Sequence, residues 1–166
     1  MPTSSEAGKN AVADLVERLI GLRLSVAVAE SLTGGLVMAA LTSVPGSSAT
    51  VRGGVVAYAT QVKRDVLGVD GDLLDRVGAV DADVALQMAD GVRDTVGADF
   101  GLATTGVAGP DGQDGKAPGV VFVAVTTPFG RWHRELLLDG DRDAIRTRSA
   151  IAVLELLNEV LDSITR

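Results

Sequence analysis

Cysteine is absent from this chain, and histidine occurs once, at position 133. The first absence excludes disulfides, thiolate zinc sites and cysteine nucleophiles together. The second leaves a Ser-His-Asp triad only one imidazole to use and makes zinc sites built on two or more histidines impossible. His133 lies in the alternating stretch Arg131–Leu136, which reads as a strand, so it is expected to be a structural or surface residue. Aromatics are scarce as well. Tyr58, Phe100, Phe122, Phe129 and Trp132 are too few for a platform that stacks successive bases. A formal net charge of −7 provides no surplus of Lys and Arg to neutralise a phosphate backbone, so nucleic acid is not an expected partner. A local basic site can still take one small anion, which leaves a nucleotide ligand open. No apolar run approaches the length of a membrane span, and Met1–Asn10 lacks the basic-then-apolar order of a signal peptide. No membrane partner is therefore expected, and a cytoplasmic location follows by default.

What is present fits one α/β domain. A length of 166 residues leaves little room for a second core, and 46% hydrophobic residues suffice for one. Helical spacing runs over Ala11–Leu22, Thr33–Val44, Gln61–Leu67, Asp81–Val96 and Asp141–Leu161. Thr33 is placed to cap the second of these. Strands are predicted at Leu24–Ala29, Gly53–Tyr58, Phe100–Thr104, Val120–Thr126 and Trp132–Leu138. Gly68–Gly78 reads as a loop with a helical turn near Leu73-Leu74, and Thr105–Pro118 as a glycine-rich loop. Strands alternating with helices, closed by a late hairpin, predict a three-layer α/β/α sandwich with a mixed, mostly parallel sheet. Residues 1–10 are expected to form a flexible N-terminus and 11–166 a single domain.

In an open α/β sheet, ligands gather outside the carboxyl ends of the strands. Three segments leave a predicted strand with polar residues: Ala29–Gly35, Ala57–Lys63 and Thr104–Pro110. In the first, Ser31 sits at a strand-to-helix turn, beside free backbone N–H groups that can hold an anion or a developing oxyanion. Gly34 and Gly35 let the backbone approach a ligand. Taken alone, such a turn is more often a pair of caps made by Ser31 and Thr33. In the second, Lys63 is one of only three lysines, with Lys9 and Lys116, against twelve arginines. Lysine can be deprotonated where arginine cannot, so a buried Lys63 could take a proton from Ser31. On spacing alone a solvated helix lysine is the commoner case. Tyr58, the single tyrosine, can stack on a ring or assist proton transfer, or serve as an ordinary strand-end aromatic.

The third segment is not a phosphate loop. The run from Gly109 to Gly115 is one residue too long, Ala117 replaces Ser or Thr, and a strand follows. Asp111 and Asp114 do not match a calcium-loop spacing. A glycine-rich rim that includes Gly106 and Gly109 is the better description. At the start of the last helix, Arg142 and Arg146 lie one turn apart and can clamp a phosphate, or equally make surface ion pairs with Asp141, Asp143 or Glu135.

These segments together resemble the family that includes the carboxy-terminal domain of competence/damage-inducible protein A and the single-domain nicotinamide-nucleotide amidases. The stretches that carry the resemblance are Ala29-Glu30-Ser31 with Thr33-Gly34-Gly35, Val44-Pro45-Gly46-Ser47-Ser48, and Gly53–Tyr58 followed by Lys63. Further on come Leu67-Gly68-Val69, Gly78-Ala79-Val80, Thr105–Pro110 and Gly140-Asp141-Arg142. Each is weak alone; in this order, over about Ala11 to Leu161, the set is strong. The resemblance implies a stand-alone amidase that converts nicotinamide mononucleotide to nicotinate mononucleotide and ammonia, with no metal and no cofactor. By position, Ser31 would be the nucleophile and Lys63 its base, with Tyr58 and Thr105 in support. Oxyanion donors are expected near Thr33–Gly35. Glu30, Thr33, Gly34 and Gly35 would line the substrate, as would Gly106 and Gly109, and the Arg142/Arg146 region would hold the phosphate.

The chain also departs from the family pattern. Leu32 stands where a small residue is common, Ala59-Thr60 replaces a Ser-Asn-like pair, and Asp81 sits where Ser is frequent. The loop Asp111–Pro118 is unusually acidic. These changes leave two alternatives open: a catalytically silent nucleotide-binding or oligomeric module, and an amidase for another small carboxamide. A homo-oligomer is expected in each case.

Overall fold

Five strands line up in the order β2-β1-β3-β4-β5, and the way the chain reaches that order fixes where a ligand can sit. The structure, a computed structural model, describes residues 4–165. Helix α1 spans Ser4–Leu22 and feeds β1 (Val26–Glu30). The tight α2 (Leu36–Thr42) leads back to β2 (Val51–Val56), which pairs parallel to β1. Then follow α3 (Thr60–Asp65), α4 (Gly71–Val77) and α5 (Ala82–Val96). Strand β3 (Phe100–Gly106) lies parallel on the other side of β1. The hairpin of β4 (Val120–Thr127) and β5 (Gly130–Leu137) adds two antiparallel strands, and α6 (Arg142–Ile164) ends the chain.

Side-chain alternation along the strands splits the core into two layers. Val26, Val28, Phe100, Leu102, Val121, Val123 and Val125 point to the face covered by α1, α2 and α6. Ala27, Ala29, Ala103, Phe122 and Ala124 point to the face covered by α4 and α5. The small residues on the second face let α5 lie close to the sheet. At Gly101 an added Cβ would stand 1.9 Å from the Ala89 carbonyl oxygen. The architecture is thus the expected α/β/α sandwich with a mixed sheet.

The helix starts are written in aspartates. Asp70, Asp81 and Asp141 each precede a helix and accept a backbone N–H, from Asp72, Asp83 and Ala144 respectively, at 2.8–2.9 Å. Aspartate and serine are both strong N-caps, so Asp81 is a conservative departure from the family pattern. Helix α2 is capped differently. Its N-cap is Gly35, and the expected cap Thr33 is two residues too early, buried against Thr104. Three other boundaries differ from expectation. Helix α1 begins at Ser4 and so includes most of the segment expected to be flexible, whose residues 1–3 lie outside the described ones. The stretch at Gly71–Val77 is a full short helix, with Asp70 as its cap. Strand β2 ends at Val56, so Tyr58 lies beyond the sheet.

Strand register brings the parallel carboxyl ends level. Glu30 sits beside Val56 on one side and Thr104 on the other. The residues that follow, Ser31, Ala57-Tyr58 and Thr105, therefore emerge side by side at one edge of the sheet.

Candidate active site

Ser31 is the first residue past β1, and its own N–H donates to the Thr104 carbonyl at 3.0 Å, which holds the turn against β3. The chain then reverses through Gly34 and Gly35, with φ of 58° and 109°, a left-handed pair that residues with a Cβ adopt only under strain. This reversal lets α2 start within a few residues of the serine. Ser31 is 8% exposed, so its hydroxyl is almost enclosed yet reachable from the strand edge.

Lys63 comes to Ser31 from the adjacent crossover. It sits one turn into α3 and is 1% exposed, among the largest fully buried side chains. Its Nζ donates to Ser31 Oγ at 3.0 Å, to the Ala57 carbonyl at 2.7 Å and to the Tyr58 carbonyl at 3.3 Å. All three acceptors are neutral, and no salt bridge among the described residues includes Lys63. A buried ammonium without a paired anion is costly, so burial pushes the Lys63 pKa down from its ordinary 10.5 to about 8; the carboxylate of Asp114 opposes that shift. A lysine held near 8 and hydrogen-bonded to a hydroxyl has the reach and the basicity to remove that hydroxyl's proton.

The neighbouring polar groups sort into supports and free groups. Glu30 is 2% exposed and places both carboxylate oxygens on the start of α2, accepting from Gly35 N (2.9 Å), Val37 N (3.1 Å) and Met38 N (2.9 Å). It was expected to line the substrate; instead it is the cap that Thr33 does not supply. The amides of Gly34 and Gly35 are spent as well, on the Ser31 carbonyl and on Glu30. Among the described residues, the N–H groups of Leu32 and Thr33 donate to no protein acceptor. Of the expected Thr33–Gly35 group only the Thr33 N–H is therefore free, joined by that of Leu32.

Thr33, fully buried, shares a 2.7 Å hydrogen bond with Thr104. Thr105, expected beside the serine and lysine, follows Thr104 on the other face of β3, the face that bears Ala103 and Phe122, and donates to the Ala79 carbonyl at 2.6 Å. Gly106 needs no ligand to explain it: a Cβ there would meet Val121 Cγ2 at 2.7 Å and the Val120 carbonyl at 2.8 Å. Gly109, at φ 86° and followed by a cis bond to Pro110, presents its carbonyl to Arg142.

The two arginines do not act on one point. Arg142 spans the mouth, donating to the Gly109 carbonyl at 2.7 Å and the Tyr58 hydroxyl at 2.8 Å, and Tyr58 is 60% exposed there. Arg146 turns to the serine turn, with Nε on the Leu32 carbonyl at 3.0 Å and an Nη on the Thr33 carbonyl at 3.3 Å. Its remaining nitrogen lies 3.5 Å from Asp143, one of the ion-pair partners considered from sequence. His133 lies exposed on β5, opposite Ala124, away from this edge. Among the described residues no group of three histidines and carboxylates is placed to hold a metal ion. No helix is long and apolar enough to cross a membrane.

Two contributors escaped the sequence reading. By spacing Asp114 offers only a calcium ligand that does not fit, yet its carboxylate accepts from Ala79 N at 3.0 Å and so holds the glycine-rich loop to the turn before α5. Thr104 was read as part of a strand, and no local pattern marks it as the partner of Thr33.

The sequence model of the family described as CinA C-terminal domain matches residues 9–161. A CinA-like protein of Frankia casuarinae is 48% identical over 143 residues, which are 86% of this chain and 33% of the relative. A CinA-like protein of Geobacter sulfurreducens is 44% identical over 156 residues, 93% of this chain and 38% of the relative. The chain thus spans little more than a third of these relatives. Solved structures match over most of their length. A CinA superfamily protein from Escherichia coli superposes with a TM-score of 0.90 at 28% identity, covering 96% of this chain and 94% of that one. A competence/damage-inducible protein from Agrobacterium tumefaciens gives 0.83 at 40% identity, covering 90% and 94%.

Proposed function

The chain belongs to the CinA C-terminal domain family, and on that premise we propose that it hydrolyses the carboxamide of nicotinamide mononucleotide to nicotinate mononucleotide and ammonia. The observation that carries the reading is the buried Lys63 with its Nζ 3.0 Å from Ser31 Oγ. Neutral Lys63 takes the Ser31 proton as Oγ attacks the carboxamide carbon. The oxyanion forms beside the unengaged N–H groups of Leu32 and Thr33, which Arg146 fixes through the two carbonyls of the same residues. Protonated Lys63 returns its proton to the leaving nitrogen, ammonia departs, and the acyl group remains on Ser31. Lys63 then activates a water that releases the acid and restores the serine. Tyr58 and Arg142, at the mouth, supply a ring face and a guanidinium for the pyridine and the phosphate.

The test is ammonia release from nicotinamide mononucleotide by the wild type, Ser31→Ala and Lys63→Met, with nicotinamide riboside as a comparator lacking the phosphate. Loss of activity by roughly a thousandfold or more in both variants supports the pair. Activity that survives in Ser31→Ala removes the covalent route. Equal rates with the riboside would move the substrate to another small carboxamide, and an inactive, well-folded wild type would favour a silent binding module.

A further inference from the structure

Strand β5 ends the sheet, and no strand among the described residues pairs with its outer side. Its eight residues, Gly130–Leu137, contain no proline and run against β4 without a shift of register. Just past the strand, the Leu138 N–H donates to the Gly119 carbonyl at 2.9 Å. Bonded pairs recur at every second residue of an antiparallel ladder, so Gly130, Trp132, Arg134 and Leu136 turn their backbone groups toward β4. Arg131, His133, Glu135 and Leu137 turn theirs outward. Such a row of unpaired N–H and C=O groups is a template for another strand. The opposite edge is blunted: the pairing of β2 with β1 shifts between Val26 and Ala27, and Gly53 holds φ 147°.

Charged side chains often guard an edge by repelling a second one. Those on β5 instead complement a copy of themselves. An antiparallel pair of β5 strands centred on His133 keeps the outward backbone groups of Arg131, His133 and Glu135 opposite one another. It sets Arg131 against Glu135 of the second copy, and Glu135 against that copy's Arg131. On the α6 face Trp132 comes level with Arg134, a ring with a guanidinium. Phe129, in the hairpin turn, comes level with Leu137. At 98% and 76% these are the most exposed large apolar side chains among the described residues. Centring the pair on Trp132 would put Phe129 against Glu135, and centring it on Arg134 would put two arginines face to face. Glu135 enters no ion pair among the described residues, and Arg131, 2.9 Å from Asp90, has guanidinium donors to spare for a second carboxylate. We propose that β5 is the self-association surface of this protein, two copies joining edge to edge about a two-fold axis at His133 to form one continuous sheet. Ser31 follows β1, with β3 and β4 between it and this edge, so the pairing stands independently of the amidase reading.

Sedimentation velocity of the full chain across the micromolar range tests the pairing, and a dimer is expected for the wild type. Arg131→Glu alone opposes carboxylates at both ends of the paired strands, and Glu135→Arg alone opposes guanidiniums. Each variant is therefore expected to sediment as a monomer. Mixed in equal amounts, the two variants regain an opposite-charge pair at both ends, and a mixed dimer is expected. That recovery also shows that neither variant dissociated through misfolding. A wild type that stays monomeric throughout the range overturns the proposal. A dimer that survives both single substitutions also overturns it, because the contact then lies on another surface. Variants that dissociate singly and fail to recombine overturn the pairing centred on His133.

Discussion

Lys63 Nζ and Ser31 Oγ lie 3.0 Å apart although 32 positions separate them in the chain. Each reaches the other from the end of a different parallel strand, β1 for Ser31 and β2, through Tyr58 and Ala59, for Lys63. The register that sets Glu30 against Val56 is what makes the pair meet. The distance is therefore a property of the sheet, fixed before any ligand arrives, which is the condition for a preorganised nucleophile.

The first prediction follows from the state of that lysine. A base must be neutral to accept a proton, and Lys63 is held at about 8. Its active fraction rises with pH, so kcat/KM is expected to climb about tenfold per pH unit below 8 and to level off above it. At pH 6 the rate should stand roughly a hundredfold below the plateau. A profile that stays flat between pH 6 and 9 would rule out Lys63 as the base.

The same burial makes a prediction about stability. Between the folded pKa near 8 and the unfolded value near 10.5, the unfolded chain binds a proton that the folded chain does not, so stability rises with pH across that window. Below pH 8 the folded state carries the full cost of a buried charge. Lys63→Met removes the charge and keeps the length of the side chain, leaving the Ala57 and Tyr58 carbonyls without their donor as an offset. The variant is expected to be more stable than the wild type at pH 7 by about 1–2 kcal/mol, and the difference should shrink toward pH 10. Urea denaturation at both pH values measures it. A variant less stable at pH 7, or a gap that widens with pH, would contradict the assigned cost.

Glu30 leads to the opposite kind of outcome. It sits within the motif that carries the family resemblance, next to Ser31, but its carboxylate serves three backbone donors of α2 rather than a ligand. Glu30→Ala leaves those buried N–H groups unsatisfied and is expected to cost about 2–4 kcal/mol of stability. Glu30→Gln places an amide against donors and should fall between. A ligand role would instead show a raised KM at unchanged stability, so thermal melts and kinetics on the same samples decide the matter.

How much of this the sequence disclosed depends on whether the cause was local. The five strands and the amphipathic α5 were legible because alternation and helical spacing are local signals. The pairing of Ser31 with Lys63 was legible only as a possibility, since elimination of Cys and His left few bases and the strand-end position favoured these two. The details of the turn were not legible. Thr33 looks like a cap because capping is judged by distance to the first apolar repeat, yet the two glycines delay the helix to Leu36 and the capping oxygen comes from Glu30, five residues before Gly35. Thr105 is marked in the sequence by its place near a strand end, but its hydrogen bond to the Ala79 carbonyl, 26 positions away, has no local signal. Asp114 is the extreme case: its role depends on a loop folding back onto Ala79, a contact 35 positions away that no spacing rule encodes.

The two arginines of α6 allow a final separation of roles. Arg142 touches Tyr58 and the Gly109 carbonyl at the mouth, while Arg146 braces Leu32 and Thr33 from behind the serine turn. A mouth arginine that meets the phosphate stabilises ground state and transition state alike. Arg142→Ala should therefore raise KM for the mononucleotide by roughly tenfold or more with kcat little changed, and should leave the riboside unaffected. In the proposed mechanism Arg146 works through the position of two amides that matter when the oxyanion forms. Arg146→Ala should lower kcat by about tenfold or more with a small change in KM. Arg146→Lys should not restore it, because a single ammonium cannot reproduce the planar fork that spans two carbonyls. Should Arg146→Ala raise KM and spare kcat, the residue holds substrate rather than the turn, and the two arginines would after all share one ligand.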